Sequence, residues 1–504
     1  MIRRLVVAAL AVAAGACGGG LAHPDDTIVI ALANGPTSFD PAVGLDESSQ
    51  KIHQLLYSSL VRIDDSLRVV PDLAVRFESP DPLTYLAEVR RGVRFHDGRE
   101  LTSEDVAYTF RRFLDPSFVS GRKGAYRMLR SVETLDRYSL VFHLAEASSS
   151  FPVNLVMGIV PSGIGAAAAR HPVGTGPYRL AEFAVDDHVT LRPFAAYFGG
   201  PPRNTGLTFK VVPDDTMRGL ELRKGSVDLV VNDLSSDIVH GLRSEGRLGV
   251  TTAPGADFAY IGFNLRDVRL ADRRVRLAIG YAVDREAIAR DLRRGFARPA
   301  VGIIPPMSWA FEPDVFQFHH DPARARALLD EAGYPDPDGA GPAPRLRLTL
   351  KTSTTEAYRL QAAVIQQNLA EVGIALDVRS SEFASLFADV IKGNVQLYTL
   401  QWVGVTDPDM LRRVYHSSQM PPGGFNRGRY QNAEVDRLID AASAARDEGE
   451  RRRLYGAAQR LIAADAPSIG LWYKTNVAVF QPNIHGVALN AVADFAFLKD
   501  VWRR

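Results

Sequence analysis

The sequence contains a single cysteine, Cys17, among its 504 residues. Because a disulfide needs two thiols, the chain has no internal disulfide and must be held together by packing alone. An excess of one charge is also missing, since 59 Lys and Arg residues against 58 Asp and Glu residues leave a net charge of +1. This balance excludes the strongly basic surface that nucleic-acid binding needs.

Motifs of the common enzyme classes are absent as well. The sequence has no GxSxG, HExxH or Walker motif. Gly174-Thr175-Gly176 favours a turn entering a strand over a phosphate loop, because Pro177 removes an N–H that phosphate binding would use. His319, His320 and the loop at residues 336–339 lack the spacing of zinc and calcium sites. We expect no enzymatic activity, no cofactor and no metal.

The N-terminal residues predict an export signal. Two arginines precede an apolar run at residues 5–14 that is too short to span a bilayer, and no later run approaches that length. Small residues then lead to Cys17, which is similar to a bacterial lipoprotein signal, although Ala14 stands where leucine is usual. Lipidation of Cys17 would leave residues 18–26 as a glycine-rich tether. The alternative is ordinary signal peptidase cleavage nearby.

The length predicts more than one compact unit, because one hydrophobic core rarely serves 504 residues. Short apolar runs that predict buried strands alternate with helical patterns. These runs occupy residues 27–33, 207–212, 227–231, 346–351, 374–378 and 395–400. A helix predicted at residues 356–372 carries Leu360, Val364 and Val372 on one apolar face and stops at Gly373. The alternation is typical of mixed α/β sheets.

Residues 94–112, RFHDGRELTSEDVAYTFRR, combine a turn with a helix start. Gly98 can take positive φ in the turn. Thr102 and Asp105 have the spacing of a capping box, so we expect a helix to begin there. Val106, Phe110 and Phe113 then make one apolar stripe. These features build scaffold and carry no catalytic chemistry.

Six segments together resemble one family, the extracytoplasmic solute-binding proteins of peptide and nickel ABC importers, called family 5. They lie at residues 94–112, 172–180 (PVGTGPYRL), 273–288 (RRVRLAIGYAVDREAI), 324–335 (RARALLDEAGYP), 430–441 (YQNAEVDRLIDA) and 450–472 (ERRRLYGAAQRLIAADAPSIGLW). The segments follow the family's order and leave only the signal segment uncovered.

The resemblance implies an α/β fold of the two-lobe periplasmic-binding-protein type, type II-like and of cluster C, with an extra subdomain inserted in lobe I. The chain would cross into lobe II after residues 260–264 and return near residues 473–481. The expected division is 1–17 signal, 18–26 tether, 27–63 lobe I, 64–185 inserted subdomain, 186–263 lobe I, 264–475 lobe II and 476–504 lobe I. Such lobes can close over a ligand by hinge motion.

The loop at residues 401–409, QWVGVTDPD, follows a predicted strand end, where open α/β folds place ligands. Trp402 offers a wide apolar face for stacking on a ligand, or it packs in the core of its lobe. In the peptide-binding branch that the chain resembles, an Asp three residues after this Trp holds the ligand's ammonium group. Val405 stands at that position, so the resemblance favours N-blocked or uncharged ligand ends, a preference that Val405→Asp should reverse. Asp407 is expected to be structural.

Loop length is similar to that of the nickel-chelate branch, yet residues 157–162 contain no arginine to hold a chelate. Neither branch matches fully. Further candidate ligand contacts are Asn34, Gly35, Phe263, Asn264, Phe425 and Asn426. Asn34 and Gly35 would otherwise form only a turn, and Asn264 would only bond the hinge.

We therefore expect a monomeric, non-enzymatic lipoprotein of the periplasm or cell envelope. It would capture an oligopeptide-like or other organic solute between two lobes and deliver it to an ABC permease in the membrane. Alternatives are a nickel- or metallophore-binding relative, a peptide-binding sensor or chaperone, and, most remotely, a hydrolase.

The export pattern predicts the effect of Cys17→Ala. Without the thiol no lipid can be attached, so the protein should leave the membrane fraction or remain unprocessed. Immunoblots of membrane and soluble fractions measure this. Mature protein that stays fully membrane-bound in the variant would refute the anchor.

Overall fold

The computed structural model describes residues 27–339 and 341–504, so Cys17 and the predicted tether lie outside the described residues. The strands are β1 Thr27–Leu32, β2 Val61–Ile63, β3 Val69–Pro71, β4 Ala74–Asp81, β5 Thr84–Val89, β6 Leu129–Thr134, β7 Ser139–Leu144, β8 Tyr178–Ala184, β9 His188–Pro193, β10 Gly206–Val211, β11 Leu229–Val231, β12 Gly249–Phe263, β13 Ala297–Pro299, β14 Leu346–Ser353, β15 Ile374–Ser381, β16 Leu397–Trp402, β17 Ser468–Phe480, β18 Ile484–His485 and β19 Trp502–Arg503.

The α-helices are α1 Glu47–Leu56, α2 Ser103–Arg111, α3 Phe151–Asn154, α4 Asp215–Lys224, α5 Ser236–Glu245, α6 Val268–Ala271, α7 Arg273–Ala282, α8 Arg285–Ala287, α9 Pro322–Glu331, α10 Glu356–Ala370, α11 Phe383–Lys392, α12 Met410–Tyr415, α13 Ala433–Ala444 and α14 Glu448–Asp465. A π-helical turn, Ile288–Leu292, follows α8. Within the described residues no helix combines the length and apolarity needed to cross a membrane.

One mixed sheet of eleven strands runs through the molecule in the order β15-β14-β16-β12-β17-β11-β1-β10-β9-β8, with β13 also paired to β17. We call the part formed by β1 and β8–β11 with α1, α4 and α5 lobe I. The part formed by β14–β16 with α6–α14 is lobe II. Apolar clusters on both faces of the sheet provide the cores of the two lobes. The predicted strands were mostly correct, and the expected mixed α/β architecture is confirmed.

Two long strands join the lobes. β12 and β17 are antiparallel and pair from Gly249 opposite Phe480 to Gly262 opposite Ser468, with register shifts on either side of Phe258–Ala259. One end of β12 pairs with β16 of lobe II, whereas the opposite end of β17 pairs with β11 of lobe I. The two lobes therefore share one continuous backbone ladder, while the exact limits of lobes and insert remain a prediction.

A separate four-stranded sheet, β4-β5-β7-β6, forms an insert between β3 and β8. Helix α2 packs on it, and Val106, Phe110 and Phe113 are buried as the apolar stripe predicts. Its N-terminus is stabilised as expected, because the Asp105 carboxylate accepts the backbone N–H of Thr102 at 2.8 Å.

Helix α10 occurs where predicted and ends before Gly373, whose φ is +84°. Its buried face, however, differs from the prediction, because the side chain of Leu360 is 47% exposed. The residues that pack inward are Gln361, Ala362, Ile365 and Leu369. Leu360 instead faces a cavity between the lobes.

The Gly174-Thr175-Gly176 segment packs its backbone against the end of α1. A Cβ atom on Gly174 would lie 1.9 Å from the carbonyl oxygen of Leu56, and one on Gly176 would lie 2.4 Å from that of Leu55. Only glycine allows this approach, and β8 begins directly afterwards. The segment is a strand-entry turn, as predicted.

Candidate functional site

A cavity of about 610 Å³ lies between the two lobes. Lobe I contributes Asp215, Thr216, Asn232 and residues 234–239. Lobe II and the turn before β13 contribute Leu292, Arg293, Phe296, Thr355, Glu356, Ala357, Leu360 and Gln401. The shared strand β17 contributes Trp472, Lys474, Thr475 and Val477. Its size suits a small organic molecule or part of a peptide.

The cavity follows from the sheet topology. β11 ends at Val231 before the loop that holds Asn232, and β14 ends at Ser353 before the N-terminus of α10. Loops at the carboxyl ends of sheet strands surround the crevice in which open α/β folds bind ligands. Asn232, Leu234, Ser235 and Thr355 come from such loops. Other wall residues come from α4, α5, α10 and the turn before β13, and β17 forms the floor.

The floor is held by hydrogen bonds to its side chains. The indole N–H of Trp472 donates to the side-chain oxygen of Gln361 at 2.8 Å. Asn232 donates to Asn476 at 3.1 Å and accepts the backbone N–H of Val477 at 2.9 Å, which ties the lobe I wall to β17. These bonds set the orientation of the groups that face the cavity.

Charged groups of both signs line the cavity. Arg293 lies over the ring of Trp472, with 4.1 Å between its guanidinium carbon and the ring centroid. Burial lowers the pKa of Arg293, and nearby Tyr358 opposes the shift. Lys474 lies 4.0 Å from the carboxylate of Asp257, which also accepts the side-chain N–H of Gln401 at 2.9 Å. The site can therefore bind polar and anionic groups against an aromatic floor.

Trp402, the main predicted ligand contact, is packed by protein groups. The guanidinium of Arg427 lies 4.2 Å from its ring centroid, and the ring of Tyr260 is stacked at 6.4 Å. Phe425 meets Trp402 edge-on and is 43% exposed. Trp402 belongs to an aromatic cluster with Tyr260 and Phe425 and is not among the residues that line the cavity, and Phe425 has the most accessible side chain of the cluster.

Val405, Phe263 and Asn426 are enclosed in protein. Val405 is 1% exposed and packs in the core of lobe II, while Phe263 is fully buried in a neighbouring cluster. The Asn426 amide donates to the carbonyl oxygens of His416 and Tyr430 and accepts the N–H of Tyr430. The structure therefore does not place Val405 on a cleft wall, which removes the reason for expecting Val405→Asp to reverse ligand preference.

The other predicted residues are placed as follows. Asn264 uses its side chain to bond the carbonyl oxygens of Gly393 and Val395, matching the structural alternative. Asn34 is exposed in the bend after β1, its carbonyl oxygen accepting the hydroxyl of Ser48 at 2.6 Å, and Gly35 follows it. Asn34 adjoins the lobe I wall because the preceding residue, Ala33, donates to Asp233 at 3.4 Å.

Asp407 and Asp409 form a pair of partly buried carboxylates beside the insert. Ser150 of the insert region donates its hydroxyl to Asp407 at 3.1 Å, so this loop contacts the first half of the chain. Burial raises the pKa of Asp407. Burial and the neighbouring Asp407 raise the pKa of Asp409 to about 6.

Sequence reasoning overlooked Arg293, Trp472, Lys474 and the wall at residues 232–239. Strands were predicted at residues 227–231 and 346–351, and the rule that ligands bind beyond strand ends applied to both. Applied there, the rule would have pointed to Asn232 and Thr355. Nothing local indicates Arg293, since it reaches the cavity only because the turn before β13 packs on β17.

Comparison with known proteins agrees with this architecture. Residues 68–421 match the model "Bacterial extracellular solute-binding proteins, family 5 Middle". The oligopeptide-binding protein AppA of Bacillus subtilis is 28% identical over 94% of this chain and 91% of its own. The glutathione-binding protein GsiB of Salmonella choleraesuis is 30% identical over 93% of each chain.

Solved structures show the same fold. AppA of Bacillus subtilis, in complex with a nonapeptide, superposes with a TM-score of 0.76 at 27% identity, covering 95% of this chain and 99% of its own. The ABC transporter-associated periplasmic binding protein DppA of Helicobacter pylori, in complex with the peptide STSA, has a TM-score of 0.78 at 25% identity and covers 95% and 98%. The chain belongs to family 5 of the bacterial extracellular solute-binding proteins and has their two-lobe fold.

The burial of Val405 predicts that Val405→Asp destabilises the protein. An unpaired carboxylate in this apolar cluster should lower the free energy of unfolding by roughly 3 kcal/mol at pH 7. The shift in urea midpoint measures it. Val403→Asp is the matched control, because Val403 is 78% exposed two residues earlier and should change the midpoint little. Equal midpoints for the two variants would contradict this placement of Val405.

The raised pKa of Asp409 predicts a pH effect on stability. Its folded-state pKa of about 6 exceeds the ordinary value of 3.8, so its contribution to stability is full below pH 3.8 and is lost as the pH rises through 6. The urea midpoint of Asp409→Asn minus that of wild type should therefore be larger at pH 8 than at pH 4.5.

The control for this pH effect is Asp440→Asn. Asp440 shares the partner Arg412, and hydrogen bonding to that arginine lowers the pKa of Asp440 against the effect of burial. Its contribution to stability is present above pH 3.8 and is lost only at lower pH, so the midpoint lost in this variant should be nearly the same at pH 8 and at pH 4.5. The same pH dependence in both variants would show that the Asp407–Asp409 pair does not cause the effect.

Proposed function

We propose that this protein captures an organic solute, oligopeptide-like in chemistry, in the cavity between its lobes and delivers it to an ABC permease. The observation that carries the proposal is the 610 Å³ cavity whose walls belong to different lobes and whose floor is β17. A ligand that touches both walls stabilises the closed arrangement and shifts the population toward it.

The backbone connections support a hinge mechanism. The lobes are joined through β12 and β17, whose ladder is interrupted between Pro254 and Phe258. Such irregular positions can absorb changes in backbone angles while each lobe remains rigid. We infer that opening and closing rotate the lobes about this part of the sheet.

Contacts outside these strands bridge the two sides. Arg68 pairs with Glu448 at 2.9 Å, and the Arg446 side chain donates to the carbonyl oxygen of Pro80 at 3.2 Å. Both Arg68 and Glu448 are substantially exposed, and exposed ion pairs contribute about 1 kcal/mol or less. Together with the Ser150–Asp407 bond they describe a closed state that can reopen readily.

The class of solute follows from the relatives. AppA is named for oligopeptides and GsiB for glutathione, and DppA was solved with a peptide. We carry over the shared chemistry, a peptide backbone with charged ends. Among the described residues no group of three His, Cys, Asp or Glu side chains could hold a bare metal ion. Binding of a nickel chelate, the alternative named above, would not need such a group.

The remaining parts of the proposal concern the cell. Family members are extracellular or periplasmic solute-binding proteins, and we propose that this chain acts as a monomer at the cell envelope, anchored through lipidated Cys17. It would have no catalytic activity, since transport requires only binding and release, and the permease complex supplies the energy.

Ligand should compact the protein. Two probes are a tryptic digest of casein, from which retained peptides are identified by mass spectrometry, and glutathione. Small-angle scattering of protein freed of solute by unfolding and refolding should give a larger radius of gyration than the ~23 Å expected of a compact chain of this length, and saturation with a retained peptide should reduce it. Retention of peptide without compaction would count against hinge closure, and retention of neither probe would overturn peptide capture.

A further inference from the structure

Arg293 is partly buried and lacks the hydrogen-bond partners that the buried Arg276 has. Arg276 donates to the carbonyl oxygens of Leu270, Ala271, Asp465 and Ala466 at 2.6–3.0 Å. Within the described residues the Arg293 guanidinium makes no hydrogen bond, has no carboxylate within 4.0 Å, and keeps Nε out of contact with solvent. The guanidinium lies over the ring of Trp472.

An unpartnered cation of this kind is costly, because burial removes water without replacing its hydrogen bonds. Stacking on an aromatic ring returns only part of the loss. Arginine also presents a planar set of N–H donors that matches the two oxygens of a carboxylate. The arrangement is therefore incomplete in a way that an incoming carboxylate would complete.

The position of Arg293 is set in advance. The backbone φ angles of Arg294 and Gly295, +50° and +78°, turn the chain sharply into β13. β13 then pairs with β17 so that Pro299 lies opposite Trp472. Because the Trp472 indole is itself bonded to Gln361, the ring on which Arg293 rests cannot turn freely.

The acidic residues of the cavity wall are engaged elsewhere or lie in solvent. Asp237 pairs with Arg294 at 2.6 Å, and Asp215 accepts the backbone N–H of Ser235 at 3.3 Å. Glu356 is exposed in the first turn of α10. Among the described residues, none of these carboxylates pairs with Arg293.

Two helix N-termini at the cavity add favourable groups. Ser235 and Thr355, the N-cap residues of α5 and α10, accept no hydrogen bond from the first turn through their side chains, so N–H groups there remain available. Lys474 on the floor supplies a second cation. These features supplement Arg293.

We propose that Arg293, held on Trp472, is the carboxylate-binding residue of the cavity and selects solutes that carry a carboxylate, such as a peptide C-terminus or an acidic side chain. This inference rests on the proposed capture of solute between the lobes. It implies that the carboxylate of the solute faces the turn before β13.

The test compares matched probes by titration calorimetry. Each casein peptide retained by the wild-type protein is synthesised as the free acid and in forms with one carboxylate at a time converted to its amide. For at least one carboxylate the amide should bind wild type at least tenfold more weakly. Arg293→Met should lower the affinity for the acid to that of the amide, and should change the affinity for the amide by no more than about twofold. Arg293→Lys should bind the acid with an affinity between those of wild type and Arg293→Met.

The matched control is Arg290→Met, in the π-helical turn that directly precedes Arg293. Arg290 is 67% exposed and pairs with Asp291, so its loss should leave both affinities unchanged. If Arg293→Met fails to fold, the acid and amide comparison in wild type and Arg293→Lys still decides. Equal affinity of every acid and amide pair, or an equal loss of both forms in Arg293→Lys, would overturn the subsite. If peptides bind and compact the protein but acid and amide bind equally well, only the subsite proposal is overturned. If no peptide binds at all, the proposed function itself is overturned.

Discussion

The pairing of β12 with β17 is the constraint on which the two-lobe arrangement depends. Both strands are largely buried where they meet, so their backbone N–H and C=O groups need partners within the protein. They supply these to each other and, at opposite ends, obtain them from β16 and β11. The ladder leaves register between Pro254 and Phe258, and there the carbonyl oxygen of Ala256 accepts the N–H of Val405. The side-chain carboxylate of Asp257 accepts the N–H of Gly404. The same irregularity that can accommodate hinge motion thus anchors the loop after β16.

The polar chemistry of the cavity follows from that floor. A strand shared by two lobes cannot be covered by either one alone, so Trp472 and Lys474 remain at the boundary between them. Most buried polar groups nearby are satisfied, as the bonds of Trp472 to Gln361 and of Asn232 to Asn476 show. The Arg293 side chain has no such partner among the described residues and lines the space that a solute would fill. An unsatisfied charge in an otherwise satisfied site is a physical indication of what is bound there.

The fold alone does not decide the solute. AppA and GsiB match most of this chain at similar identity but are named for different ligands. The common element is the sheet with its hinge strands, whereas the walls are loops beyond strand ends, which can change without disturbing the core. Chemistry read from one relative's loop therefore transfers poorly. Val405 illustrates this, because the resemblance implied a ligand contact at a position that is here part of the core of lobe II.

Local sequence patterns determined much of the scaffold. The capping box at Thr102 and Asp105, the strand before the 401–409 loop and the family itself could be recognised from residues close together in the chain, because propensity, capping and periodicity act over short distances. Only the tertiary structure decided that Val405 is buried and Val403 exposed, that Leu360 faces the cavity, and that Arg293 rests on Trp472. Each of these outcomes depends on which distant segment covers the side chain, as residue 472 does for residue 293. Packing between distant segments leaves no periodic signal in the sequence.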